Sequence, residues 1–101
     1  MQDNRLEQIE KELGPARETR PCTGLTDRYG SRIYLGDVVS VPDVFEYEDG
    51  SREFKHNVAV VVRSGNEYGL SCFEKKGKLE ERLRSREVAL DRVLQVGHVV
   101  K

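Results

Sequence analysis

A chain of 101 residues with 37% apolar and 35% charged side chains is sized for one domain with a thin core, and leaves no room for a second catalytic lobe. The formal charge of −1 gives no bulk attraction to nucleic acid. The longest uncharged apolar run, Val58 to Val62, is far short of the roughly 20 residues that cross a bilayer, so no membrane partner is expected.

The chain divides into an N-terminal helix with linker, residues 1–22, and a β domain, residues 23–101. Leu6, Ile9 and Leu13 recur at helical spacing, with Glu7, Gln8, Glu10 and Lys11 on the other face. Asp3 or Asn4 supplies an N-cap, and Gly14-Pro15 stops the helix. So short a helix is marginal alone in water, so its apolar stripe is a candidate interface with the β domain, with a second copy in a homodimer, or with another protein. The mixed charges of Met1 to Glu12 lack the apolar stretch of a secretory signal, which predicts a cytoplasmic location.

From Thr23 the pattern changes to short strands between turns. Asp27 to Gly30 reads as a turn, Arg32 to Leu35 as an extended piece, Gly36-Asp37 as a second turn and Val38 to Val41 as a strand. Asp49-Gly50 suits a two-residue hairpin turn that sets Glu46 opposite Glu53 and Phe45 opposite Phe54; the like charges oppose that register and leave a longer loop open. Asn57 to Arg63 is a β-branched run without alternation, as expected of a central strand covered on both faces. Ser64 to Asn66 turns the chain into a strand over Tyr68 to Phe73, with Leu70 and Cys72 on one side. Glu74 to Lys78 is a loop, and Leu79 to Arg84 stays undecided between helix and strand. Ser85, followed by Glu87, Val88 and Leu90, fits one capped helical turn, and Val93 to Val100 closes as a strand. Five or six short strands at this spacing favour a mainly β small barrel.

Residues 23 to 39, TGLTDRYGSRIYLGDVV, resemble the signature of the YopX-like proteins of phages and prophages. The matching positions are Thr23, Gly24, Leu25, Asp27, Gly30, Ile33, Tyr34, Gly36, Asp37, Val38 and Val39, with Val96, Gly97 and Val99 resembling the closing strand and His98 departing from the usual Asn. The resemblance implies an SH3-like barrel and an accessory phage protein in an infected or lysogenic bacterial host. It implies no assigned reaction.

The residues themselves carry little catalytic chemistry. Asp27 and Asp37 lie among glycines and read as turn formers. Cys22, Cys72, His56 and His98 are scattered singly, without the paired spacing of a zinc site, so no metal or cofactor is expected and both thiols are read as reduced. No nucleophile motif or phosphate-cradling loop is present, and an enzyme is the least favoured class. Charge, however, is polarised. Residues 43 to 54 hold Asp43, Glu46, Glu48, Asp49 and Glu53 against Arg52 alone, whereas residues 74 to 87 are rich in Lys and Arg. The leading expectation is a protein-interaction module that inhibits or redirects a host protein, with Phe45, Glu46, Tyr47, Glu48 and Asp49 as its contact. The alternative is nucleic-acid binding through Arg82, Arg84 and Arg86, which would line one face if that segment were extended. A small-nucleotide sponge is the third reading.

Overall fold

The computed structural model describes residues 19–100. The helix expected around Leu6, Ile9 and Leu13 lies outside these residues. Six strands and two short helices follow in the order β1 (Cys22–Thr26), β2 (Arg32–Tyr34), β3 (Val38–Glu46), β4 (Arg52–Ser64), β5 (Glu67–Ser71), α1 (Leu79–Arg84), α2 (Leu90–Gln95) and β6 (His98–Val99). The fold is mainly β. Among the described residues the strands form an antiparallel hairpin β1-β2 and a four-stranded antiparallel sheet in the order β5-β4-β3-β6, and the two sheets do not close into one barrel. Turn contacts join them instead, with Arg28 N–H donating to the Gly97 carbonyl at 2.9 Å and Gly36 N–H to the Val61 carbonyl at 2.9 Å.

The core lies on one face of the larger sheet. Val39 and Val41 of β3 and Ala59 and Val61 of β4 alternate inward, as a period of two requires, and meet Ile33, Leu79, Val93 and Leu94. On the opposite face Val58, Val60 and Val62 are only half-buried, so β4 is central without being fully covered on both sides. At the next turn, Gly65 takes a φ of +61° in the Gly65-Asn66 connection between the paired residues Ser64 and Glu67.

The β3–β4 register departs from the two-residue expectation by one position. Glu46 faces Arg52, Phe45 faces Glu53 and Val44 faces Phe54. The connection is a five-residue loop in which Tyr47 N–H donates to the Ser51 carbonyl at 3.0 Å, with Gly50 at φ +87°. This register removes the Glu46–Glu53 repulsion and gives Glu46 a 2.9 Å ion pair with Arg52. It also carries the inward alternation Val39, Val41, Asp43 on to Phe45, while Phe54 turns outward.

Two further expectations change. Leu90, Val93 and Leu94 stand at i, i+3 and i+4, so the start of the expected closing strand winds into α2 and only His98–Val99 pairs with β3. The strand expected through Phe73 ends at Ser71; Cys72 takes φ +54° and is exposed, away from the side shared by Leu70 and the core. Leu79–Arg84 resolves as a helix, with Leu79 buried and Leu83 packed against the core.

Candidate interaction surface

Five polar side chains are buried among the described residues, and four of them, Asp27, Asp37, Asp43 and Asn57, are engaged in holding the backbone. Asp27 Oδ1 accepts the N–H groups of Tyr29 and Ser31, both at 2.9 Å, and its Oδ2 accepts Val99 N–H at 3.0 Å, tying the first turn to β6. Burial opposes the charge on Asp27, but the N–H groups of Val99, Ser31 and Tyr29, aided by the His98 imidazole, hold its carboxyl below the ordinary value. Asp37 accepts Tyr34 N–H at 2.8 Å and pairs with Arg20 at 3.2 Å. Asp43 accepts the N–H groups of Val44 at 2.7 Å and Leu79 at 2.8 Å, and the Asn57 side-chain amide at 2.9 Å. Asn57 in turn exchanges hydrogen bonds with both backbone groups of Lys75, at 2.8 and 3.1 Å. Together Asp43 and Asn57 clamp the loop leading into α1 across the sheet. A Cβ at Gly77 would overlap the Asp43 carboxylate, so the loop needs glycine there.

The hairpin end is different. Phe45, expected as a surface anchor, is 6% exposed, with the Lys55 ammonium 5.5 Å from its ring centroid; the one-residue register change puts it inside. Tyr47 is 47% exposed and its hydroxyl donates to Glu53 at 3.1 Å. Glu46 bridges Arg52 at 2.9 Å and Lys78 at 3.3 Å. Asp49 accepts the Ser51 hydroxyl at 2.6 Å and its N–H at 2.9 Å, which hold the Asp49 carboxyl below its usual value. Glu48 lies exposed in the loop.

The more exposed of the two open aromatics at this end is Phe54, at 78%, which no local motif singles out. It stands beside a cleft of about 430 Å³ lined by Pro42, Val44, His56, Leu79 and Arg82, among others. A row of rings continues from it along the sheet. His56 lies two residues along β4, its ring centroid is 6.0 Å from that of His98, and His98 is 6.0 Å from Tyr29, itself 72% exposed beneath Arg28. Ser40 Oγ lies 3.0 Å from His56 Nδ1. Among the described residues His56 makes no hydrogen bond or ion pair with a carboxylate of the kind that orients the base in a nucleophilic triad.

The chain matches no protein-family model, no curated protein and no solved structure.

Arg82, Arg84 and Arg86 do not form a basic row. Arg82 and Arg84 lie on α1, two residues and therefore about 200° apart around a helix, while Arg86 follows at φ +63°. Each pairs with an acid: Arg82 with Glu87 at 3.5 Å, Arg84 with Glu80 at 3.3 Å and Arg86 with Glu67 at 3.4 Å. The premise of an extended phosphate-tracking segment is thus removed. Cys22 and Cys72 are both exposed free thiols. Among the described residues no three His, Cys, Asp or Glu side chains are grouped to hold a metal.

Proposed function

We propose that the chain is a non-catalytic interaction module that binds a protein of a bacterial host and inhibits or redirects it in the cytoplasm. The phage setting follows from the YopX-like signature of residues 23 to 39, and an SH3-like origin for this open two-sheet arrangement belongs to the same proposal. The observation that carries the binding reading is Phe54. A phenylalanine held in the open on a regular strand, lining a cleft and on the same hairpin as Glu46, Tyr47, Glu48 and Asp49, combines an aromatic anchor with charges that steer encounter. The bland alternative, a solvated hairpin whose charges merely prevent sheet association, accounts for the acids but not for the exposed ring.

The test is capture from a host lysate by the full chain, by Phe54→Glu and by the Glu46→Lys, Glu48→Lys pair. A host protein retained by the wild type and lost with either variant is the expected result. Equal retention by all three proteins removes this surface from consideration.

A further inference from the structure

The face of the larger sheet turned away from the core carries a line of rings. Phe54 and His56 share that face of β4, since they alternate with the buried Asn57, and His98 pairs with Ser40, whose neighbours Val39 and Val41 point inward. Tyr29, in the turn between β1 and β2, ends the line. Its steps are regular: Tyr29 and His98 are 6.0 Å apart between centroids, His98 and His56 another 6.0 Å, and Phe54 follows two residues along β4, about 6.6 to 6.8 Å. Each step is close to twice the roughly 3.4 Å per nucleotide of a duplex strand, which suits bases drawn apart along an extended single strand. The middle of the line is held in place. Ser40, the remaining buried polar side chain, sets its Oγ 3.0 Å from His56 Nδ1 and orients that imidazole. Rings ordered before a ligand arrives lose little freedom on binding. At the two ends stand Phe54 and Tyr29, 78% and 72% exposed, the most exposed large hydrophobic side chains among the described residues.

The accessible charges along this line are cationic. The cleft at the Phe54 end is lined by Lys55 and Arg82, while the carboxylate of Asp43 is buried and engaged by Val44, Leu79 and Asn57. At the Tyr29 end the Arg28 guanidinium lies 5.2 Å from the ring centroid, and the adjacent Asp27 is buried among its N–H donors. Lys55 and Arg82 lean on Glu53 and Glu87, but both pairs are exposed, and exposed pairs hold weakly enough for a phosphate to displace the carboxylate. The local charge therefore suits an anion, although the whole chain carries −1. The cleft, at about 430 Å³, falls in the size range of small-ligand pockets.

We infer that this face binds single-stranded nucleic acid as an extended strand, with bases stacked on Phe54, His56, His98 and Tyr29 and phosphates drawn to Arg82 and Lys55 at one end and Arg28 at the other. This is a second activity beside the protein interaction proposed above, and the two share Phe54. A ring accepts the face of any base, so binding is tolerant of sequence. With three cations, the phosphate contribution is small and its salt dependence shallow.

The probe is a labelled twelve-residue oligothymidylate, followed by fluorescence anisotropy on the full chain at low salt. Competitors are an abasic strand of the same length, a duplex of the same length and thymidine monophosphate. The expected result is saturable binding of the oligothymidylate, at least tenfold tighter than that of the abasic strand or the duplex. Phe54→Ala and Tyr29→Ala each weaken it about fivefold or more, the low end for one base on one ring, while thermal melts show both variants folded. Arg28→Ala and Arg82→Ala each reduce the salt slope by about 0.7, the share of one phosphate on a single strand. Equal binding of the abasic strand means that charge alone is read and overturns the inference. So do insensitivity to both ring substitutions, absence of binding at submillimolar protein, and equal affinity for thymidine monophosphate, which confines the ligand to the cleft. Phe54-dependent capture of a host protein without oligonucleotide binding sinks the inference and leaves the proposed function standing; oligonucleotide binding without host capture does the reverse.

Discussion

The middle and the hairpin tip of the β3–β4 ladder use the same residue types in opposite ways. Towards its middle, Asp43 and Asn57 are buried, and their polar atoms accept or donate hydrogen bonds to backbone that arrives from far along the chain. At its tip, Glu46, Glu53 and Arg52 face water and make surface ion pairs. Geometry rather than residue type decides which carboxylates are architecture and which are available to a partner. The most severe test of that division is Asp43→Ala. Removing this carboxylate strands the N–H groups of Val44 and Leu79 and the Asn57 amide in a dry site, at a cost of about 3 to 5 kcal/mol. Urea unfolding should show a large fall in midpoint. A loss below about 1 kcal/mol, the scale of a single ordinary hydrogen bond, would mean the clamp is no stronger than the tip.

The two phenylalanines sharpen the same comparison. Phe45→Ala empties a buried site and should destabilise the fold by about 3 to 4 kcal/mol. Phe54→Ala, at 78% exposure, should change stability by no more than about 0.5 kcal/mol while abolishing partner capture. Thermal melts of the two variants check the register directly. Were Phe54 the costly one, the pairing of Val44 with Phe54 would be wrong by one residue.

Much of the first third of the domain was readable in advance, because its turns are local. Gly30 and Gly36 take φ of +79° and +86°, and Asp27 and Asp37 bond to N–H groups within four residues, as expected of turn formers. The central strand was readable from its β-branched run. The hairpin is legible but its inner and outer faces are not, since a one-residue change of register exchanges Phe45 for Phe54. The closing segment misled because Val93, Val96 and Val99 favour a strand by composition, while the spacing of Leu90, Val93 and Leu94 against the core winds the first half into helix. The candidate surface was least legible. Its rings come from residues 29, 54, 56 and 98, and only the sheet order brings them into one row.

Asp27 offers a test by pH. Its folded carboxyl titrates below its ordinary value, so the unfolded chain binds the proton first as pH falls. The stabilisation is therefore complete above the ordinary carboxylate range and disappears as pH drops through that range towards the folded value. Asp27→Asn keeps one acceptor for the turn but loses the anionic hold on Val99, at about 1 to 2 kcal/mol near neutrality. Its stability should fall less steeply with acid than that of the wild type. Asp49 and Glu53 are also held low, but both are exposed, and screening limits what they add to the slope. Parallel acid unfolding curves for the two proteins would show that Asp27 is not a proton-linked anchor.

The smallest effect is expected at α1. Glu80 and Arg84 form an i, i+4 pair at 3.3 Å, with side chains 50% and 75% exposed. The acid is N-terminal to the base, the better orientation on a helix, yet such pairs are worth only about 0.3 to 0.5 kcal/mol and weaken with salt. Arg84→Ala should thus move the melting temperature by a few degrees at most, with the difference narrowing in high salt. The triple change of Arg82, Arg84 and Arg86 to Ala should stay modest too, because each arginine meets its glutamate at the surface. Host-protein capture should survive it. Were capture lost instead while Phe54→Glu retained the partner, the working surface would be the helix and not the hairpin end, and the contrast between the middle and the tip of the ladder would concern stability alone.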